Sequence, residues 1–209
     1  MKYHHLFWDF DGTLYDSYPR ICAAMNRTLV QHGMSAVSAD ELMPLLKHSV
    51  FYTLQHFAER YHKDVQALLD DFHKQHKLET VFPPYEGLAQ CLASLKEAGC
   101  KHYLYTHRDT LAITLLQQDG LWEHFTGSVT SCDGFPHKPA PDALLSLLNQ
   151  FQIDPQDAIM IGDRGIDIES GHNAGMAGMV FDPEGAYFGP EAQLYAASMK
   201  ELAKKLTES

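Results

Sequence analysis

Short apolar runs that stop abruptly at a polar residue constrain this chain more than any other feature. Residues 5–8 end at Asp9, residues 103–105 at Thr106, residues 158–161 at Gly162-Asp163 and residues 179–181 at Asp182. Runs of this length, too short for helices and without the alternation of a half-exposed strand, suit parallel strands buried on both faces. Between them, residues 86–98, 110–119 and 141–151 have helical spacing; Gly99 and Gly120 close the first two, and the third opens at a proline. Strand alternating with helix predicts an α/β fold with a doubly wound parallel sheet. Ligands of such sheets bind beyond the carboxyl ends of the strands, where Asp9, Thr106 and Asp163 fall.

The alternation breaks between residues 17 and 82. Residues 21–31, 39–47, 50–61 and 65–78 are all helical in spacing, with no strand-like segment among them. The sequence therefore predicts a helical unit, 17–82, inserted into an α/β core made of 1–16 and 83–209. Asp16-Ser17 with Pro19 reads as a helix start, and Phe82-Pro83-Pro84 as a stiff return to the core. The tail, 191–209, reads as an amphipathic helix or helix pair.

Composition narrows the partners. At 209 residues and 45% hydrophobic, the chain can bury a sizeable core. With 16 Lys and Arg against 27 Asp and Glu, its net charge of −11 repels nucleic-acid backbones and anionic membrane surfaces, so neither is expected as a partner. No stretch approaches the ~20 apolar residues of a spanning helix. The segment before Asp9 lacks the apolar centre of a signal peptide, and Cys22, Cys91, Cys100 and Cys132 form no C-x-x-C pair. A cytoplasmic protein with reduced thiols is expected.

Asp9-Phe10-Asp11-Gly12-Thr13 places two carboxylates at the end of the first strand, and Gly12 permits the turn that lets the second face the first. One carboxylate can attack phosphorus while its neighbour transfers a proton. Such a pair standing alone more often serves a turn. The Thr106 hydroxyl can donate to a phosphoryl oxygen or satisfy its own backbone. Lys138, in His137-Lys138-Pro139-Ala140-Pro141-Asp142, offers a compact charge that could hold a nucleophile ionised. Asp163 and Asp167 lie on a strand-to-helix turn and suit either a metal or a helix N-terminus. Oxygen ligands favour Mg²⁺. Zinc lacks a recognisable cysteine spacing, and His73 with His76 is the sole i, i+3 histidine pair, on a charge-rich helix.

In order, these motifs resemble those of the haloacid dehalogenase (HAD) superfamily. Asp9-Phe10-Asp11-Gly12-Thr13-Leu14, followed by Asp16-Ser17, is similar to the first motif, Thr106 to the second, Lys138 to the third, and Gly162-Asp163-Arg164-Gly165-Ile166-Asp167 to the fourth. The insertion resembles the helical cap of subfamily I, in the branch of phosphoglycolate phosphatase and β-phosphoglucomutase. The resemblance implies a Rossmann-like core and an aspartyl-phosphate intermediate, with Asp9 as nucleophile and Asp11 as acid and base. It further implies Mg²⁺ bound by Asp9, Asp163 and the backbone carbonyl of Asp11, with Asp167 acting directly or from behind.

The chain departs from the family pattern after Thr106, where the usual Asn is replaced by His107 and followed by Arg108. His107 stands with Thr106 and Lys138 as a phosphate-binding candidate, through a ring that titrates near neutrality or through its backbone N–H. Lys47 and His48, in the cap, either meet a carboxylate or hydroxyl of the substrate or solvate a helix end. Arg164 reaches a substrate anion or forms a surface ion pair. The expected activity is a Mg²⁺-dependent phosphatase for a small phosphorylated metabolite, with phosphoglycolate-like compounds as candidates. A phosphosugar mutase of the β-phosphoglucomutase type is the alternative. A receiver-like phosphoaspartate signalling module is disfavoured by the insertion and by the Asp11-Gly12-Thr13 turn. The sequence leaves the oligomeric state open.

Overall fold

In the computed structural model, which describes residues 2–208, six strands form one sheet: β1 (His5–Trp8), β2 (Lys101–Tyr105), β3 (Phe125–Val129), β4 (Ala158–Gly162), β5 (Ala177–Phe181) and β6 (Leu194–Ala196). Their order is β3-β2-β1-β4-β5-β6, and every neighbouring pair is parallel. This is the doubly wound α/β core expected from the sequence. In β1, β2, β4 and β5 nearly every residue is buried, without alternation. Such strands need cover on both faces, which a parallel sheet obtains from its crossover helices.

The described residues hold nine α-helices. Four lie in a continuous stretch: α1 (Tyr18–Gln31), α2 (Ala39–His48), α3 (Val50–Tyr61) and α4 (Val65–His76). The other five alternate with strands: α5 (Leu88–Glu97), α6 (Leu111–Gln118), α7 (Asp142–Phe151), α8 (Gly165–Asn173) and α9 (Met199–Glu208). On one face of the sheet, Phe7, Tyr103, Tyr105 and Met160 pack with Leu144, Leu147 and Leu148 of α7. Each such side chain contributes roughly 1.5–3 kcal/mol by leaving water.

The tail differs from expectation. Instead of a helix or helix pair over 191–209, the chain adds the short edge strand β6 and then a single helix, α9. The edge strand β3 also lies in a stretch without a strand-like apolar run.

The chain divides into two compact units, residues 2–15 with 84–208, and Asp16–Pro83. The second unit has its own core, in which Met25 and Leu29 of α1, Leu46 of α2, Phe57 of α3 and Phe72 of α4 are buried. Side chains at helix starts satisfy otherwise orphaned amides: Ser38 accepts from Glu41 N–H, Ser49 from Tyr52 N–H and Asp64 from Gln66 N–H. At the border, Tyr15 bridges Pro84, and Asp16 N–H donates to the Pro83 carbonyl at 2.9 Å.

Candidate active site

Register brings the strand ends together. Trp8 pairs with Leu104 on one side and Ile161 on the other, so Asp9, Thr106 and Asp163 leave three adjacent strands at the same edge. The sheet holds their backbones up to that point: Asp9 N–H donates to Ile161 O at 2.9 Å and Thr106 N–H to Val129 O at 3.0 Å. Beyond Asp9 the chain folds back at once. The Phe10 carbonyl accepts from Leu14 and Tyr15 N–H, both at 3.0 Å, and Gly12 takes φ 76°, a conformation costly for other residues.

At the centre is a fully buried ammonium. Lys138 Nζ donates to Asp9 Oδ1 at 2.6 Å, to Asp167 Oδ1 at 2.8 Å and to the Tyr105 carbonyl at 3.0 Å, using all three of its donors. Burial opposes its charge, but Asp167 and Asp9 more than offset this and raise the Lys138 pKa above its ordinary value. The second Asp167 oxygen accepts from Arg164 N–H at 3.0 Å. Burial favours a neutral Asp167, yet Lys138, Arg164 and these hydrogen bonds prevail and hold its carboxyl below the ordinary range. Asp9 is treated differently. Burial pushes its carboxyl up, Lys138 pulls it back and Asp167 raises it again, for a net rise to about 7. Asp9 Oδ2 is buried without a hydrogen-bond partner.

A metal ion would resolve this imbalance. Asp9, Asp163 and Asp167 bring carboxylate oxygens within 4.8 Å of one another, all three buried, against the positive charges of Lys138 and Arg164. An ionised acceptor buried without a partner is costly. The donor set is all oxygen, which suits a hard divalent cation. Asp9 Oδ2 and Asp163 fit such an ion; Asp167, with both oxygens already accepting, supports it through Lys138.

Thr106 is buried, and its Oγ1 accepts from Arg108 N–H at 3.0 Å, which leaves the hydroxyl proton to donate elsewhere. His107 corrects one reading of the sequence. Its Nε2 accepts from Lys138 N–H at 2.9 Å, so the ring is neutral and braces the lysine loop. Burial, then Lys138 and Arg164, push its pKa down to about 3, far from neutrality. Arg164 is not a surface ion pair: its side chain is 16% exposed, with Nε 3.9 Å from Asp167 Oδ2.

Asp11 lies apart from the acidic cluster. Its carboxylate takes both arms of Arg108, Nε to Oδ2 at 3.1 Å and Nη2 to Oδ1 at 2.5 Å. Sequence reasoning noted Arg108 only as a departure from the family pattern; its pairing across 97 residues has no signature in spacing.

The cap candidates lie in the second unit. Lys47 is buried, with Nζ 4.7 Å from the centroid of the Tyr18 ring, so it does not solvate a helix end. His48 is exposed and packs on Tyr52 at 4.6 Å between ring centroids.

The site thus offers one carboxylate with an open oxygen, a second on a separate cation, a hydroxyl donor and a buried ammonium, all at one sheet edge. The sequence profile of haloacid dehalogenase-like hydrolases matches residues 6–181. A phosphoglycolate phosphatase of Vibrio vulnificus is 30% identical over 185 residues, covering 81% of this chain and 79% of that one. The pyrophosphatase PpaX of Bacillus cereus is 26% identical over 176 residues, covering 84% and 81%. Among solved structures, a hydrolase from Streptococcus pneumoniae superposes with a TM-score of 0.65 at 32% identity, covering 87% of this chain and 94% of that one.

Proposed function

The chain belongs to the haloacid dehalogenase-like hydrolases, and from that membership we propose a Mg²⁺-dependent phosphatase that cleaves a small organic phosphomonoester through a phosphorylated Asp9. The observation that carries this reading is the Asp9 carboxylate, with Oδ1 held by Lys138 and Oδ2 buried without a partner. Asp9 and Asp163, with the Asp11 backbone carbonyl, would hold Mg²⁺. When bound, the ion supplies positive charge against Asp9 and the phosphoryl oxygens.

The Asp9 carboxylate attacks phosphorus in line as the bond to the leaving oxygen breaks, and Asp11 gives that oxygen its proton. Asp11 then takes a proton from the water that attacks phosphorus, the bond to Asp9 breaks, and phosphate leaves. The Thr106 hydroxyl donates to a phosphoryl oxygen throughout, and Lys138 keeps Asp9 oriented and counters its charge. The environments support this division of labour. Asp9 is buried against Lys138, whereas the Asp11 side chain is 26% exposed and pairs with Arg108. Substrate choice is assigned to the helical unit, with Lys47 and His48 as candidates, and to Arg164.

The test is a panel of phosphoglycolate, sugar phosphates and pyrophosphate, comparing kcat/KM with Mg²⁺ and with chelator. Stoichiometric free phosphate from a monoester, lost on chelation and restored by Mg²⁺, is the expected result. Isomerised sugar phosphate without phosphate release would show a mutase and overturn the proposal.

A further inference from the structure

We propose that Arg108 is a positioning residue for Asp11, a fork that holds the proton-transferring carboxylate in one place and one plane. The inference rests on the reading of Asp11 as acid and base. A carboxylate on a tight turn, partly open to water, has several rotamers of similar energy, and few of them aim it at a leaving oxygen. The paired contacts from Arg108 select one position and fix the carboxylate plane, which a single point charge does not.

Arg108 is itself fixed from several directions. Its side chain is only 7% exposed against 26% for Asp11, so the rigid partner is the arginine. Its backbone N–H donates to Thr106 Oγ1 at 3.0 Å, and its carbonyl accepts from Ser131 N–H at 3.0 Å. The guanidinium carbon lies 5.4 Å from the centroid of the Phe10 ring, within cation–π range. Phe10 stacks on Tyr15 at 4.4 Å, and Tyr15 OH donates to Asp119 at 2.7 Å. One residue therefore ties the turn after β1 to the turn after β2. Through Thr106 it also couples the placement of the acid to the hydroxyl proposed to hold the phosphoryl group.

The test compares the full-length enzyme with Arg108→Lys, Arg108→Met, Asp11→Asn and the double variant Arg108→Met/Asp11→Asn, on β-glycerophosphate and on p-nitrophenyl phosphate. The first has a leaving alkoxide that needs a proton; the second has a phenolate that leaves without one. Both Arg108 variants should lower kcat/KM, which reads the step that expels the leaving group, by about 10- to 100-fold on the alkyl ester and far less on the aryl ester, whereas kcat on either ester also includes the Asp11-assisted hydrolysis common to both. The double variant should be no slower than Asp11→Asn alone. Arg108→Lys keeps the charge without the fork, so it decides the matter if Arg108→Met fails to fold. Wild-type kcat/KM on the alkyl ester in Arg108→Lys, equal losses of kcat/KM on both esters, or a loss that adds to that of Asp11→Asn would overturn the inference. If Asp11→Asn itself keeps wild-type rates on both esters, the assignment of Asp11 fails, and the Arg108 proposal fails with it.

Discussion

Asp9 is asked to be buried and to be an anion. Burial, with Asp167 and against the pull of Lys138, raises its carboxyl to about 7 from an ordinary 3.8. Between those values the unfolded chain holds fewer protons than the folded one, so this group costs stability as pH rises through the window. Asp9→Asn removes the cost while Lys138 keeps Asp167 and the Tyr105 carbonyl. In chelator at pH 7.5 the variant should therefore keep or raise its Tm, although its turnover is lost. Mg²⁺ should raise the Tm of the wild type well above its chelator value and that of Asp9→Asn much less, because a ligand stabilises only the state that binds it. Equal shifts would remove Asp9 from the metal site. At this scale Asp9 and Asp163 were legible, because each sits where an apolar run stops. The roles of His107 and Arg108 were not: one braces Lys138 from 31 residues away and the other reaches Asp11 across 97, and neither distance leaves a trace in local spacing.

Between elements, the turn from β4 into α8 is where one missing methyl group matters most. A Cβ on Gly162 would lie 2.3 Å from Asp167 Cβ and 2.6 Å from Asp167 Oδ2, so only glycine lets that carboxylate fold back onto Lys138. Gly162→Ala should cost about 1–3 kcal/mol or more by overpacking, read from urea unfolding, and should lower kcat about 10-fold or more. His102 ties three elements: Trp8 Nε1 donates to its Nδ1 at 3.0 Å, and its Nε2 donates to the Leu92 carbonyl at 3.2 Å. Burial pushes its pKa down to about 4 from 6.5. Below 6.5 the unfolded chain takes up the proton first, so stability should fall as pH drops from 6.5 to 4, by about 3 kcal/mol in all from this residue. His102→Gln should flatten that part of the urea midpoint against pH. The buried strands and the four helices of the insertion were legible because their periodicities are long and clean. The edge strands were not. Gly127 and Ser128 interrupt β3, and β6 has three residues in all, too few for a period.

For the whole molecule, the insertion leaves the sheet as it found it. Tyr15 and Pro84 are bridged neighbours, so the second unit leaves and re-enters the first at one point. Replacing residues 17–82 with a short Gly-Ser linker should give a folded α/β unit by circular dichroism, because the insertion carries its own core. Collapse of that shortened chain would show that the core needs the insertion. The net charge of −11 opposes binding of polyanions, yet a small phosphate ester would meet Lys138, Thr106 and a bound cation at one sheet edge. The central claim is that the phosphoryl group passes through Asp9, and it is tested most directly by acid quenching during turnover, which preserves an acyl phosphate, followed by peptide mass spectrometry. One phosphoryl group on Asp9 in the wild type, absent in Asp9→Asn, is the expected result. Steady turnover with the label on another residue, or undiminished turnover by Asp9→Asn, would contradict the account.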